Sequence, residues 1–274
     1  LPDGTDLDAK HQVTVIVTDH KKAPQQGKNV TVKGDLGQSA AGKTDKNGEL
    51  TVPEVEQTER HGVYIVGYTD GTFGPSRSMT RAEAAAIFAR LLAEKNGDTI
   101  STAANTKFAD IPAHAWYSGY VKYLSNNGIT YGKNKTIFAP NDAITRAEFT
   151  TMAVRFFDVY GDGDAEIMEQ FSGFNDVSSG YWAAEYIKYA ALHGWINGYG
   201  DGSFHADREI NRAEVVTIVN RLLGREADED YIADNLRKLN TFPDVTKRHW
   251  AYYAVMEAAN AHTAVLGESE SWSK

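Results

Sequence analysis

Residues 194–214 read GWINGYGDGSFHADREINRAE, and this stretch recurs in diverged form twice earlier in the chain. Its final Asn211-Arg212-Ala213-Glu214 is matched by Thr145-Arg146-Ala147-Glu148 and by Thr80-Arg81-Ala82-Glu83, at spacings of 66 and 65 residues. A glycine stands thirteen positions before each block and a phenylalanine seven positions before it: Gly67 and Phe73, Gly132 and Phe138, Gly198 and Phe204. Because self-similarity at a fixed period is the signature of a repeat architecture, the sequence predicts three copies of one structural unit.

A second signature alternates with the first and consists of Phe-x-Asp, with a tryptophan eight residues after the phenylalanine. Its members are Phe108, Asp110 and Trp116; Phe174, Asp176 and Trp182; and Phe242, Asp244 and Trp250. Each tryptophan stands at the start of a segment whose apolar residues keep helical spacing. We therefore predict that the tryptophans fill the core between copies and that the aspartates cap or order the turns before these helices.

Each copy reads as helix, loop, helix. Gly194 ends the first helix of the third copy, and a glycine-rich turn leads to the helix that Arg212 opens. Apolar residues at helical spacing mark the buried sides of the second helices: Ile87, Phe88, Leu91 and Leu92; Phe149, Met152, Ala153 and Phe156; Val215, Ile218, Val219 and Leu222. The predicted fold class is mainly α, with a small all-β module at the N-terminal end.

Residues 1–58 differ in composition from the rest of the chain. They are rich in β-branched residues and predict three or four antiparallel strands. Candidate strands are residues 12–18, 29–33, 39–44 and 49–52, and Asn47-Gly48 between the last two predicts a β-hairpin. The pattern resembles a bacterial immunoglobulin-like or carboxypeptidase-regulatory-like repeat. Because such sandwiches take about 100 residues, we expect this module to be truncated.

Composition excludes several classes of function. The 274 residues carry a formal net charge of -9, which disfavours general binding of nucleic acid or anionic membranes. The chain has no cysteine, so disulfides and thiolate chemistry are excluded. No stretch approaches the roughly 20 apolar residues that span a membrane. The polar start at Leu1 is not a signal peptide, and we expect a mature form or a fragment.

No metal site and no cofactor are predicted. The eight histidines show no metal-binding spacing. We expect six of them at the surface: His61, His114, His193, His205, His249 and His262. The acidic run from Asp158 to Glu169 has Tyr160 at the third position of a calcium-loop pattern, where a carboxylate or amide ligand is usual, so we interpret the run as a solvated linker.

The motifs Phe-x-Asp-Val, Trp-Ala, Gly-Trp-Ile-x-Gly-Tyr-x-Asp-Gly-x-Phe and Thr-Arg-Ala-Glu together closely resemble the S-layer homology domain. The resemblance covers residues 60–262 and implies three motifs assembled into a three-fold pseudo-symmetric helical prism. It also implies non-covalent anchoring of a surface protein to the bacterial wall. The implied ligand is a secondary cell-wall polymer whose terminal sugar carries a pyruvate ketal. We accordingly assign residues 59–274 to this domain.

The motifs occur in cyclically split order. Residues 62–95 hold a second half-motif, residues 108–158 and 174–224 hold complete motifs, and residues 242–262 hold a first half-motif. Each half alone would expose an apolar stripe, whose burial is favourable. We therefore expect the two halves to complete one another, with the helix near 250–261 packed beside the helix near 81–93.

Thr-x-x-Glu is a capping box, in which both side chains satisfy backbone N–H groups at the start of a helix. Structural caps are therefore predicted at Thr80, Glu83, Thr145, Glu148, Asn211 and Glu214. The arginine after each cap stands where the helix dipole disfavours a cation, and beside free N–H groups it can grip a carboxylate. Arg81, Arg146 and Arg212 are therefore ligand-binding candidates, and a salt bridge to an acidic residue of a neighbouring motif is the alternative role.

The loops before the caps supply further ligand-binding candidates. Tyrosine and aspartate suit sugar hydroxyls, and glycine suits a positive φ or the close approach of a ligand. These candidates are Tyr68, Tyr199, Asp70, Asp201, Gly67, Gly132 and Gly198. For Trp116, Trp182 and Trp250, stacking on a sugar is the alternative to the core role. The middle copy carries Lys133 and Lys135 in this loop instead, and we expect them to change the charge beside Arg146 and to make the three sites unequal.

Three functions are compatible with the sequence. The resemblance favours a non-catalytic anchor at the bacterial cell surface, in the cell wall or S-layer. Its partner would be a pyruvylated polysaccharide or peptidoglycan-linked glycan, with no nucleic acid and no membrane insertion. A lattice-forming or oligomerising module without specific glycan binding is the alternative. A wall glycan hydrolase is a second alternative, disfavoured because caps account for the repeated acidic residues.

Overall fold

The computed structural model describes residues 13–19, 21–33, 39–52, 57–160, 171–266 and 270–273. The chain divides into two compact units, one formed by Leu1–His61 with His262–Lys274 and the other by Gly62–Ala261. Most of the predicted acidic linker after Asp158 lies outside the described residues. None of the helices described is long and apolar enough to cross a membrane.

The described part of the first unit contains two small antiparallel ladders. β1 (Val13–Ile16) pairs with β4 (Glu49–Val52), and β2 (Asn29–Lys33) pairs with β3 (Ser39–Lys43). The Asn47-Gly48 turn forms, with Gly48 at φ +74. The prediction that its flanking strands pair as a hairpin is wrong, because the Gly48 carbonyl accepts from the Val17 N–H and directs β4 onto β1. The immunoglobulin-like resemblance stays a prediction.

A three-stranded antiparallel sheet joins the two ends of the first unit. It contains β5 (Gln57–His61), β6 (His262–Leu266) and β7 (Ser271–Ser273), in that order. His61 and His262 are directly opposed in the register. Both side chains are buried, so the surface prediction is wrong for this pair; it fails because a strand pairing across most of the chain covers them.

Helices dominate the second unit, which confirms a mainly helical fold with a small β part. The helices described are α1 (Arg81–Asn96), α2 (Ser118–Asn126), α3 (Arg146–Tyr160), α4 (Ala184–Leu192), α5 (Arg212–Leu223), α6 (Glu229–Asn235) and α7 (Tyr252–Ala259). The apolar residues predicted for the buried sides of α1, α3 and α5 are all buried. α1 and α5 each end at a glycine in the left-handed conformation, Gly97 and Gly224, which stops the helix without strain.

Reciprocal capping boxes start the three long helices. Thr80 with Glu83, and Asn211 with Glu214, exchange side-chain to backbone hydrogen bonds in both directions. In the middle copy Thr145 N–H donates to Glu148 Oε2 at 3.1 Å, and Glu148 N–H donates to Thr145 Oγ1 at 3.2 Å. Each helix therefore begins at the arginine, whose own N–H is left to bond outside its helix.

The short helices pack across the boundaries between copies. α2 packs on α1, α4 packs on α3, and α7 packs on α5. The prediction that the helix near 250–261 packs beside the helix near 81–93 is therefore wrong. In each case the short helix contacts the long helix of the preceding copy, and the loops join the two halves of one motif.

Those loop contacts are the same in all three copies. Asp244 accepts from the Phe73 and Gly74 N–H groups at 2.9 and 2.7 Å, and the Phe242 and Phe73 rings lie 5.3 Å apart. Asp110 binds the N–H groups of residues 138 and 139, and Asp176 binds those of residues 204 and 205. The half-motifs at the two ends of this unit are thus joined by the contacts that join the halves of the complete motifs.

The three copies are linked in a closed cycle at the core. Met79 N–H donates to Ile210 O, Ile210 N–H donates to Ile144 O, and Ile144 N–H donates to Met79 O, at 2.9–3.0 Å. All three side chains are fully buried. Each copy consequently contacts both of the others just before its capped helix begins.

Candidate functional site

Three grooves of related composition lie among the described residues of the second unit. Each is lined by the arginine that follows one cap, by the glycine loop and cap glutamate of the next copy, and by an exposed tryptophan. Groove 1 includes Arg212, Gly67, Tyr68, Glu83, Arg90 and Trp116; groove 2 includes Arg81, Gly132, Lys133, Glu148, Arg155 and Trp182; groove 3 includes Arg146, Gly198, Tyr199, Glu214, Arg221 and Trp250. Their volumes are about 250, 340 and 210 Å³, respectively.

The arginine after each cap is held deep in the wall of its groove. Arg81, Arg146 and Arg212 are only 4, 5 and 4% exposed. The Nε–H of each donates to the carbonyl of the repeated phenylalanine in the next copy, at 2.7, 2.9 and 2.8 Å. Each guanidinium also lies over that phenylalanine ring, 4.5–5.0 Å from its centroid. One side chain therefore ties two copies together and presents its terminal nitrogen atoms to the groove.

Burial disfavours the charged form of these guanidinium groups, because it removes them from water. It holds the pKa of Arg146 and of Arg212 below the usual value of an arginine, opposed by Tyr199 and Glu214 in one case and by Tyr68 and Glu83 in the other. A guanidinium stays charged at neutral pH, so each groove keeps a buried positive charge. Such a charge is stabilised by any anion that can reach it.

The alternative role, a salt bridge to an acidic residue of a neighbouring motif, is realised in two grooves. Arg81 Nη1 lies 3.2 Å from Glu148 Oε1, and Arg146 Nη1 lies 3.3 Å from Glu214 Oε1. Arg212 instead donates to the Val66 carbonyl at 2.7 Å. Within the part of the chain that the structure describes, no carboxylate forms an ion pair with Arg212. Groove 1 thus has a buried cation that donates to carbonyl groups and is stabilised at longer range by the carboxylates of Glu83 and Asp244.

Lys133 lies beside Arg81 and not beside Arg146, so the predicted neighbour was wrong. Its Nζ is 3.2 Å from Glu148 Oε1, the same atom that Arg81 approaches. The reason is that each arginine reaches across to the loop of the following copy. Lys135, two residues away, is not among the residues that line groove 2.

Beside grooves 1 and 3, a further arginine lies over the loop tyrosine. Arg77 lies 4.4 Å over the Tyr68 ring, and Arg208 lies 5.5 Å over the Tyr199 ring. Arg208 also bonds to the Tyr199 hydroxyl and to Glu214. The matching position in the middle copy is Asp142. Groove 2 therefore has a loop cation, Lys133, where the other two grooves carry a tyrosine.

The three repeated tryptophans are exposed, so their predicted core role is wrong. Trp116, Trp182 and Trp250 are 54, 57 and 65% exposed. Each stands two residues before its helix begins, outside the helical register that the spacing suggested. Later residues such as Val121 and Leu124 fill the core instead. An indole held at the rim of a polar groove offers a flat apolar face, with a polar N–H, to a ligand.

The predicted loop residues divide between groove and scaffold. Tyr68 and Tyr199 line grooves 1 and 3. Asp70 and Asp201 are not among the lining residues; each accepts from the backbone N–H and the hydroxyl of the residue two positions on, Thr72 or Ser203. Those hydrogen bonds hold the pKa of both carboxyl groups below the usual range of an aspartate. The two aspartates therefore order the turns.

The repeated glycines make room for the protein's own aromatic rings. A Cβ on Gly67, Gly132 or Gly198 would lie 2.4–2.5 Å from a ring carbon of Phe242, Phe108 or Phe174, respectively. Of these three glycines only Gly132 has a positive φ, at +79. Glycine is thus required at these positions because the two half-motifs pack closely together beneath each groove.

Sequence reasoning missed one set of groove residues. Arg90, Arg155 and Arg221 stand nine residues after the cap arginines, on the third turn of each long helix, and each lines a groove. They recur at the same spacings of 65 and 66 residues as the capping blocks. That recurrence in the sequence was the feature that could have identified them as groove residues.

Comparison with known proteins agrees with this arrangement. Residues 51–85, 107–150 and 173–216 match the sequence profile of the S-layer homology domain. The chain is 34% identical over 218 residues to Cell surface glycoprotein 1 of Acetivibrio thermocellus, covering 77% of this chain and 9% of that protein. It is 30% identical over 233 residues to the Cellulosome-anchoring protein of the same organism, covering 84% of this chain and 49% of that one.

A third relative is the S-layer protein of Bacillus licheniformis, 30% identical over 155 residues, which cover 57% of this chain and 17% of that protein. The chain thus spans half or less of the length of the relatives it matches. Each of the three profile matches contains one glycine loop and ends within the first two turns of the capped helix that follows it. The repeat region of this chain belongs to the S-layer homology domain family.

Proposed function

We propose that the helical unit anchors a surface protein non-covalently to the bacterial cell wall by binding an acidic wall polysaccharide in its grooves. The observation that carries the proposal is a buried guanidinium and an exposed indole in each of three grooves. A sugar ring stacks on an indole, and an acidic substituent binds a guanidinium through charge-assisted hydrogen bonds. The family and its surface-protein relatives indicate an extracellular location at the cell surface.

The ligand group that fits this pairing is a carboxylate on a sugar, such as a pyruvate ketal. It is small enough to enter a groove of 210–340 Å³ while the sugar ring stays at the rim. A carboxylate can accept from a guanidinium and a second cation together. Lys133 lines groove 2, whereas Arg77 and Arg208 lie over the tyrosines that line grooves 1 and 3. We further propose that the cyclic contacts between copies reflect a three-fold pseudo-symmetric prism with one groove at each boundary.

A non-catalytic role is favoured over hydrolysis. The groove glutamates Glu83, Glu148 and Glu214 each hold a helix cap through Oε2. A carboxylate committed to a cap is poorly placed to act as a general acid or nucleophile on a glycosidic bond. The match to S-layer and anchoring proteins agrees with an anchor module.

Wall fractions test the proposal. The chain is incubated with purified sacculi, with sacculi stripped of secondary polymer, and with sacculi whose polymer has lost its ketal carboxylates. We expect co-sedimentation with intact sacculi only. Equal binding to all three would contradict the glycan site, self-assembly without any wall would favour a lattice-forming module, and release of reducing sugar would favour a hydrolase.

A further inference from the structure

We propose that His61, His262 and Glu270 form a zinc-binding site in the β5-β6-β7 sheet of the first unit. His61 Nδ1 lies 3.2 Å from His262 Nε2 and 3.2 Å from Glu270 Oε1. His262 Nε2 lies 3.1 Å from the same oxygen. Two imidazole nitrogens and one carboxylate oxygen thus form a nearly equilateral triangle.

The size of this triangle suits zinc. An ion held about 0.9 Å above its plane would lie about 2.0–2.1 Å from each of the three atoms, which is the usual length of zinc bonds to imidazole and carboxylate. Two histidines and one glutamate are a known zinc ligand set that leaves a fourth position for another ligand. The mixed nitrogen and oxygen donors disfavour calcium and magnesium, which take oxygen ligands.

The sheet holds the ligands in place before any ion arrives. His61 and His262 are directly opposed cross-strand partners, and their rings are nearly perpendicular at 80°. The side chains of His61, His262 and Glu270 are 4, 2 and 5% exposed. Rigid burial of this kind lowers the entropic cost of gathering ligands.

Neighbouring groups support the ligands as outer-shell partners do in metal sites. Glu59 Oε2 lies 3.7 Å from His61 Nε2, the ring nitrogen that faces away from the triangle. Trp272 Nε1–H donates to Glu270 Oε1 at 3.0 Å, and its ring stacks on His262 at a centroid distance of 3.8 Å. Local spacing does not reveal this site, because the two histidines are 201 residues apart.

Zinc titration of the chelator-treated full chain tests this inference. We expect saturable binding of one Zn²⁺ per chain, no response to Ca²⁺, and a higher melting temperature of the zinc-loaded chain. His262→Ala should weaken binding by more than about a hundredfold, since loss of an outer-shell partner alone costs roughly 10–100-fold. Trp272→Phe should weaken it by about tenfold. His114→Ala, at an exposed histidine of the second unit, is the matched control.

A second measurement keeps the test decisive if a variant fails to fold. On the wild-type chain, Co²⁺ should give the visible absorption of a low-coordinate site, and excess Zn²⁺ should abolish it. Absence of saturable Zn²⁺ binding by the folded wild-type chain would overturn the site in favour of a hydrogen-bonded cluster. Unchanged Zn²⁺ affinity of a folded His262→Ala variant would also overturn it.

Discussion

Grooves 2 and 3 share the same framework, a buried arginine bound to a phenylalanine carbonyl and to a cap glutamate of the next copy. They differ in the exposed side chains around it. In groove 3, Arg146, Arg208 and the Tyr199 hydroxyl converge on Glu214 Oε1, and the volume is about 210 Å³. In groove 2, Arg81 and Lys133 converge on Glu148 Oε1, and the volume is about 340 Å³. The buried arginine and its partners fix the groove, because they also hold two copies together. The exposed positions set width and charge.

The largest expected effect is on stability, from loss of a framework arginine. Arg146→Ala removes a buried donor from the Phe204 and Asn197 carbonyls and one partner from Glu214. We expect the free energy of unfolding to fall by about 3 kcal/mol. The matched change in groove 2, Lys133→Ala, should alter it by less than about 0.5 kcal/mol because this lysine is exposed. Urea denaturation of both variants measures the difference, and equal losses would contradict the division into framework and exposed residues.

The second effect is on glycan affinity, from loss of an exposed indole. Trp182→Ala in groove 2 or Trp250→Ala in groove 3 should lower affinity for acidic wall polymer by about fivefold to tenfold, as expected for one aromatic stacking contact. The melting temperature should not change, because both indoles lie at the surface. Leu236→Ala, at an exposed apolar residue outside the grooves, is the control for calorimetric titration. Unchanged affinity in both tryptophan variants would remove the stacking role.

A smaller effect separates charge from stacking in groove 2. Lys133→Gln removes the loop cation, so affinity for the acidic polymer should fall by about threefold, the size expected of a partly exposed charge. Affinity for polymer stripped of its carboxylates should stay as it was. Lys135→Gln changes the same loop outside the groove and should have no effect. If both lysine variants lost the same affinity, the effect would belong to long-range charge and not to the groove.

The smallest expected effect is on the free energy of unfolding at acid pH, and it comes from the aspartates that bind the loops of grooves 1 and 3. Burial raises the pKa of Asp244 and of Asp176, but the backbone N–H groups that each accepts from lower it further, so both pKa values lie below the usual range. A depressed pKa contributes stability above the unfolded value of about 3.9, which is lost as pH falls through the folded value. We expect Asp244→Asn and Asp176→Asn each to reduce the fall in stability below about pH 4. Denaturation at pH 3 and pH 6 measures it, and an unchanged fall would contradict the loop role.

The sequence predicted the features that depend on local spacing. Capping boxes and buried helix sides follow from residues three and four positions apart, so Thr80 with Glu83, or Ile87 with Leu91, could be recognised without a structure. Arg90 could have been found in the same way from its recurrence. Contacts between copies could not, because the sequence does not say that each arginine reaches forward to the next copy. That missing fact placed Lys133 beside the wrong arginine and α7 beside the wrong helix.

The exposed tryptophans show a second limit of local patterns. An aromatic residue near the start of a helix satisfies helical periodicity whether it points inward or outward. Trp116, Trp182 and Trp250 each stand two residues before the first residue of their helix, and at that position their side chains are exposed. The difference matters for function, because the exposed indoles suit the stacking on a sugar ring that the sequence left as their alternative role.

The five indole N–H groups offer the most direct test of glycan binding in the grooves. Three belong to Trp116, Trp182 and Trp250 at the groove rims, whereas Trp195 and Trp272 are buried and serve as internal controls. The ¹H–¹⁵N resonances of all five are followed while an acidic fragment of wall polysaccharide is added. We predict saturable shifts for the three groove indoles and none for Trp195 and Trp272. Binding of the fragment with no shift at any groove indole would contradict the account.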